Sequence, residues 1–239
     1  MTAPIGATAA PTIEYHPDAP RPSFVWAAQL PLNWRYVDTH PAKWRTCAER
    51  LADDYLPGVR LSSPQKKTVK AQLEQTIAQA QNAGVLVVLI LPGLEGEDAS
   101  AATLLLRWVD SSPSPASVIA TQRQMQAHNP IVERTGRGES YVFVSKTGLV
   151  GPVTDRRTSY THQAFLPVAG TNWTLVVSGS APSEETGAAI ASVVRRLVSS
   201  VRTYADTAGQ RVIEPAASGE DVESVEGVVV LMGAEGSVK

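Results

Sequence analysis

The most regular pattern of apolar and polar positions lies between Phe165 and Tyr204. The segments "SYTHQAFLPV" and "NWTLVVSGSA" are rich in β-branched and aromatic residues, and they predict a hairpin that turns at residues 169–172. A helix is predicted to follow from Ser183, with Glu184 and Glu185 favourably placed in its positive first turn. Because Ile190, Val194, Leu197 and Val201 recur at helical spacing, this helix should cover one side of the sheet.

A second long helix is predicted earlier in the chain. Ser63 is expected to cap its N-terminus, Pro64 to occupy its first helical position, and Gly84 to end it. The apolar positions that share one side of this helix are Val69, Leu73, Ile77 and Ala80. This spacing predicts that the helix packs on a sheet along that stripe.

Two shorter segments also have helical spacing. "PAKWRTCAERLADDYL" predicts an amphipathic helix that opens at Pro41 and closes near Pro57. "SPSPASVIATQRQMQAHNP" predicts a helix that starts at Ser114-Pro115 and stops at Asn129-Pro130.

The remaining apolar segments predict strands. "GVLVVLILPG" lacks polar alternation, so it predicts a strand buried on both faces, with "AATLLLRWVD" beside it after the loop "PGLEGEDAS" and both central in the sheet. "PIVERTGRGESYVFVSKTG" predicts two antiparallel strands about "TGRG", and "FVWAAQLPLNWRYVD" predicts one strand or a hairpin. The expected fold class is α+β, with a curved, mainly antiparallel sheet covered by three to four helices.

Composition divides the 239 residues into three parts: a flexible arm at 1–23, a folded domain at 24–204, and an acidic linker with an apolar end at 205–239. The last part has a formal charge of -5 and the rest +3, a balance that does not favour nucleic acid. The N-terminus lacks a secretory signal pattern, and the longest apolar run, "VLVVLIL", is far shorter than the roughly 20 residues that span a bilayer. We therefore expect a soluble cytoplasmic protein without membrane insertion.

The order of these elements resembles a known family. "QLPLNWRYVD" near the start, and "SYTHQAFLPVAGTNWTLVVSGSAPSEE" running into the last helix, resemble the Mog1/PsbP-like α/β/α sandwich, in particular its uncharacterised actinobacterial branch. The resemblance covers residues 24–204. It implies a non-enzymatic protein, because members of the wider group bind a small GTPase, assist a photosystem or act as accessory factors. The matching segments are patterns of strand, proline and helix, so they carry over no functional residue.

One pair of segments imitates catalytic motifs. Ser63-Pro64-Gln65-Lys66 and Lys146-Thr147-Gly148 have the form of the S-x-x-K and K-T-G elements of penicillin-recognising enzymes, in which the lysine activates the serine. The S-D-N element between them is absent, and the expected capping role explains Ser63 without catalysis. A serine hydrolase that uses Ser63 and Lys66 is therefore a remote alternative.

No cofactor and no metal is predicted. His16, His40, His128 and His162 have no ligand spacing, and Cys47 is expected in the core. Three acids, Glu95, Glu97 and Asp98, lie in one glycine-containing segment, where a solvated loop is the simpler interpretation than a cation site. Most of the five tryptophans are also expected in the core.

The last apolar segment is the candidate binding site. Val228, Val229, Val230, Leu231 and Met232 have strong β-propensity and follow an acidic linker. They are predicted either to add a strand to a sheet edge, on this chain, another copy or a partner protein, or to form a disordered end. The main hypothesis is a structural or protein-interaction module, such as an accessory or assembly component of an actinobacterial secretion or phage-tail-like machine. A small-ligand binding module is the alternative.

Overall fold

The computed structural model describes residues 16–56, 58–95, 98–150, 156–204 and 227–232. Four α-helices are α1 (Trp44–Asp53), α2 (Ser63–Asn82), α3 (Val118–Gln124) and α4 (Glu184–Ser200), and a short 3-10 helix follows α3 at Gln126–His128. The strands are β1 (Val25–Pro31), β2 (Arg35–Val37), β3 (Val87–Glu95), β4 (Asp98–Asp110), β5 (Ile131–Arg134), β6 (Ser140–Val150), β7 (Arg157–Pro167), β8 (Trp173–Ala181), β9 (Arg202–Tyr204) and β10 (Gly227–Met232). Within these residues no helix is both long and apolar enough to cross a membrane.

The strands form two antiparallel sheets. The large sheet has seven strands in the order β2-β3-β4-β8-β7-β6-β5, and in the small sheet β1 lies between β9 and β10. The predicted α+β class with an antiparallel sheet is confirmed. Two details differ from the sequence prediction. The central strand is β8 rather than β3 or β4, and β1 and β2 are not a hairpin because they belong to different sheets.

One side of the large sheet, here called the α4 face, is covered by α4 and β1. Alternate residues such as Leu104, Val177 and Ala164 pack there against Ile190 and Val194 of α4. The approach is close at Gly179, where an added Cβ would overlap the side chains of both helix residues. A side chain larger than hydrogen at this position would therefore push α4 away from the sheet.

The aromatic part of this core is centred on Trp108, which is buried. Its ring makes edge-to-face contacts with Phe24, Trp26 and Trp173, at centroid distances of 5.5, 5.2 and 6.5 Å. Edge-to-face pairing of this kind adds to the stabilisation from area burial. The cluster fixes the start of β1 to the large sheet. Trp26 and Trp108 are buried in the core, whereas the other three tryptophans are partly buried and pack against it, so the expectation that most tryptophans lie in the core is only partly met.

The opposite side, here called the α2 face, carries two separate hydrophobic clusters. Helices α1 and α2 pack over β2, β3 and β4, through Leu73, Ile77, Val88 and Ile90 among others. The predicted buried stripe of α2 is confirmed, as is burial of Cys47. Helix α3 packs over Val142, Val144, Phe165 and Val176 of β6, β7 and β8. The helices on both faces give a three-layer arrangement.

Three predicted helix starts and one predicted loop are wrong. Helix α1 begins at Trp44 rather than at Pro41, because residues 41–43 form a turn. Helix α2 is capped by Ser62, whose hydroxyl accepts from the Gln65 amide at 3.4 Å while the Gln65 side chain accepts from the Ser62 amide at 2.8 Å. Ser63 is the first helical residue instead. Helix α3 is capped by Ser117 rather than starting at Ser114-Pro115. The segment "PGLEGEDAS" is largely strand, because β3 and β4 stay paired from Val87 and Leu106 to Glu95 and Asp98.

Candidate functional site

The predicted C-terminal segment forms a strand on this chain. Gly227–Met232 pairs antiparallel with β1, from Pro31 opposite Gly227 to Trp26 opposite Met232. In the described part of the chain this pairing is the only one that β10 makes. The other edge of β1 is occupied by β9, with Val25 opposite Tyr204. Because each edge of β1 has one strand, removal of β10 would leave a row of unpaired backbone groups.

The serine and lysine of the penicillin-recognition pattern are engaged in structural contacts. Lys66 donates to the Asp53 carboxylate at 2.7 Å, which lowers the pKa of that carboxyl, and the contact joins α1 to α2. Ser63 is exposed at the start of α2. Lys146, from the second half of the pattern, lies on β6. Lys66 therefore pairs with a carboxylate, and the residue that caps the N-terminus of α2 is Ser62 rather than Ser63.

Asp98, one of the three acids between Glu95 and Asp98, also has a partner. Asp98 accepts a hydrogen bond from Arg157 at 3.2 Å, which ties the start of β4 to the start of β7. Glu97 and the side chain of Glu95 lie outside the described residues. Among the residues that are described, no group of three His, Cys, Asp or Glu is arranged to hold a metal ion.

An ion-pair cluster that the sequence pattern did not indicate lies where α4 crosses β5 and β6. Arg195 donates to both oxygens of Glu133, with its Nη2 at 2.8 Å from Oε1 and its Nε at 3.0 Å from Oε2. The Tyr141 hydroxyl donates to the same carboxylate at 2.5 Å. These hydrogen bonds, with that from Arg195 the largest effect, lower the pKa of Glu133. Burial, followed by the Glu133 carboxylate, raises the pKa of Tyr141.

A histidine completes this cluster. The Phe143 ring contacts both the Arg195 guanidinium, 3.9 Å from the ring centroid, and the His162 imidazole, which stacks on it at a centroid distance of 6.0 Å. The Ser145 hydroxyl lies 2.9 Å from His162 Nδ1. Burial, and next the positive charge of Arg195, lower the pKa of His162. The contacts join α4, β5, β6 and β7, so the cluster holds the last helix on the sheet.

The α2 face carries a row of four polar side chains, here called the polar row. The strand registers place Thr103 opposite Ser180, Ser180 opposite Thr161, and Thr161 opposite Lys146, so one residue comes from each of β4, β8, β7 and β6. All four are half-buried. The Thr161 and Ser180 hydroxyls are 3.0 Å apart. In the next row, the Gln163 amide donates to the Ser178 hydroxyl at 3.3 Å.

A cavity of about 380 Å³ lies between the β3–β4 hairpin and the start of α4. Its lining residues include Leu91, Pro92, Ser100 and Ala102 from the hairpin, and Glu185 from the helix. Cavities that bind small molecules are commonly of about 300–1,000 Å³ with a few polar groups. This cavity is therefore large enough for a small ligand.

No family model, no curated protein and no solved structure matches this chain.

Proposed function

We propose that this chain is a protein-interaction module in which β1 accepts an added strand, and that the segment Val228–Met232 is the strand that fills it. The observation that carries this proposal is the antiparallel pairing of all six residues of β10 with β1. Main-chain hydrogen bonds of this kind are the means by which proteins bind one another through sheet edges.

The length of the connection supports exchange of this strand between molecules. Residues 205–226 join the end of β9 to the start of β10. In the chain's own small sheet, those two ends are separated by two strand spacings and by the length of β1, or roughly 20–25 Å. A 22-residue connection can reach about 75 Å when extended. The same strand can therefore reach β1 of a neighbouring copy.

The layered architecture supports a more specific role, that of an accessory or assembly protein. Helices on both faces of an antiparallel sheet agree with a Mog1/PsbP-like α/β/α sandwich. Accessory proteins are the functional class that this resemblance implies. The proposed role is thus an accessory or assembly component of a multi-protein machine, such as an actinobacterial secretion or phage-tail-like system, with another protein or another copy as partner.

The test uses a version of the chain that ends at Tyr204 and a fluorescein-labelled peptide of residues 225–234. The truncated chain should bind this peptide measurably in fluorescence anisotropy, and the full chain should bind it at least about 10-fold more weakly because its own strand competes. A peptide with proline at positions 229 and 231 is the control, because proline cannot donate to the ladder. A folded truncated chain that binds both peptides equally, or neither, would contradict the proposal.

The cavity beside α4 supports a second candidate function, binding of a small ligand. A thermal-shift screen with metabolites tests it on the full chain. A hit should lose its effect when Ala102→Leu fills the cavity, because Ala102 lines it. A screen without hits, or a hit that is unaffected by Ala102→Leu, removes this candidate.

A further inference from the structure

Part of the α2 face is not covered by the helices that pack on the rest of it. Helix α3 contacts Val142, Val144, Phe165 and Val176, all on one side of the polar row along the strands. The polar row belongs to neither hydrophobic cluster of this face. Beyond it on β6, Gly148 and Val150 are exposed. These observations define an open area, bounded by the polar row and the exposed end of β6.

Gly148 shows how open this area is. A Cβ built on Gly148 meets no atom of the described residues within 4 Å, whereas one built on Gly179, on the α4 face, meets the Val194 side chain at 2.9 Å. Glycine within a strand often marks a place where another backbone approaches closely. The strand itself is continuous there, because Gly148 is paired with Ser159 of β7.

The described charged side chains on this part of the α2 face are all positive. On β4, β6, β7 and β8, the residues that alternate onto the α2 face include Arg107, Lys146 and Arg157 but no Asp or Glu among those described. Arg157 binds Asp98, and Arg107 donates to the Ala83 carbonyl oxygen at 3.4 Å. No described carboxylate forms an ion pair with Lys146. A carboxylate of a partner could therefore pair with Lys146, which has no ion-pair partner among the described residues.

We propose that this open area, formed by the polar row together with Gly148 and Val150, is a docking surface for an extended acidic peptide of a partner protein. Four adjacent strands span about 14 Å, which accommodates one extended chain with its side chains. Because the Thr161 and Ser180 hydroxyls are hydrogen-bonded to each other, one of them can donate to a backbone or carboxylate oxygen of the peptide, and Lys146 supplies the positive charge. This surface is separate from the β1 edge, so it would allow a second, simultaneous contact.

Two other occupants fit the same area less well. Nucleic acid is disfavoured because single strands are bound mainly by stacking on aromatic side chains, and none of the described residues of the open area is aromatic. Face-to-face pairing of two copies is disfavoured because the described charged residues of this face are basic in each copy. An acidic peptide matches both the charge and the polar character of the row.

The test measures binding of a fluorescein-labelled peptide of alternating Glu and Thr to the full chain by anisotropy. A peptide of alternating Lys and Thr, and a labelled oligothymidylate, are the comparison probes. The acidic peptide should bind with a dissociation constant below about 1 mM, and should bind more weakly when the salt concentration rises to about 0.15 M or higher. Both comparison probes should bind less tightly than the acidic peptide.

Two variants matched in charge locate the site. Gly148→Glu places a carboxylate on the α2 face, and Thr147→Glu places one at the next position on the opposite face of the same strand. Gly148→Glu and Lys146→Glu should weaken binding by about 10-fold, whereas Thr147→Glu should change it by less than about 2-fold. Circular dichroism checks that each variant is folded.

Several results would overturn this inference. They are the absence of saturable binding of the acidic peptide, equal weakening by Gly148→Glu and Thr147→Glu, and tighter binding of oligothymidylate, which would make the area a nucleic-acid surface. A fourth contradicting result is a dimer, detected by sedimentation, that dissociates in Gly148→Glu. It would show that the occupant is a second copy of this chain.

Discussion

The guanidinium carbon of Arg195 lies 3.9 Å from the centroid of the Phe143 ring, while the same group donates hydrogen bonds to Glu133. One side chain of α4 thus contacts β5 and β6 at once. Arginine is suited to this combination because its planar group can stack on a ring while its edge binds a carboxylate.

Replacement of Arg195 should loosen the attachment of α4. We expect Arg195→Ala to lower the free energy of unfolding by about 1–2 kcal/mol, since it leaves the half-buried Glu133 and the buried Tyr141 without their cation and the site is partly open to water. Arg195→Lys should restore only part of this loss because an ammonium cannot bind the carboxylate in the same two-pronged way. Urea denaturation measures both, with the exposed Arg196→Ala as control. Equal effects of Arg195→Ala and Arg196→Ala would contradict the structural role.

Stability should depend on pH through His162. Its pKa in the folded protein is lowered below the ordinary 6.5, chiefly by burial and then by Arg195. The unfolded chain therefore takes up the proton first, so this contribution to stability is complete above pH 6.5 and is lost as the pH falls through the folded pKa. Urea midpoints between about pH 8 and 5 should fall less steeply below pH 6.5 for His162→Gln than for the unaltered chain.

Glu133 should also make the protein less stable as the pH falls, as His162 does, but in a lower pH range. Its folded pKa is lowered below 4.5, first by Arg195, so its contribution is present above pH 4.5 and is lost below it. The loss of stability below pH 4.5 should remain in His162→Gln and should be absent in Glu133→Gln. If Glu133→Gln loses stability below pH 4.5 as the unaltered chain does, other carboxyl groups cause the acid sensitivity.

Two adjacent serines should differ in their effect on α2. Ser62→Ala should lower stability by about 1 kcal/mol, because the hydroxyl of Ser62 caps the helix and that of Ser63 does not. Ser63→Ala should change stability by less than about 0.5 kcal/mol. Thermal and urea denaturation of the two variants provide the comparison. A larger loss in Ser63→Ala than in Ser62→Ala would contradict the observed cap.

Two glycines should respond oppositely to alanine. Gly179→Ala should cost about 1–3 kcal/mol, since its new methyl group would meet Ile190 and Val194 under α4. Gly148→Ala should be neutral or slightly stabilising because the space above it is open and alanine loses less entropy. Urea denaturation measures both. A destabilised Gly148→Ala would mean that another group covers that part of the sheet.

The elements that the sequence predicted well are those whose local signals agree. Helix α4 begins after Ser183 as expected, because a capping serine, two acids and a regular apolar stripe all indicate the same start. At α2 the prediction missed by one residue, since Ser62 and Ser63 are both serine and proline is tolerated at either of the first two helical positions. Local composition does not distinguish the two starts.

The features that the sequence did not predict depend on distant partners. The segment "PGLEGEDAS" has the composition of a loop, yet most of it stays extended because β3 and β4 pair along their full lengths. Arg195 and Glu133 are 62 residues apart, and each alone is an ordinary charged residue of a helix or a strand. Only the packing of α4 on the sheet brings them together. The polar row likewise requires the registers of four strands, which no single strand specifies.

The antiparallel pairing of β1 with β10 determines how the molecule would respond to a pulling force. Trp26, near the start of β1, is opposite Met232, at the end of β10, so the two strands enter and leave the sheet at the same end. A load applied between the two termini would open the hydrogen-bonded pairs one after another from that end, as in unzipping, instead of shearing all of them together. In this geometry the last strand detaches at low force, before the seven-stranded sheet is loaded.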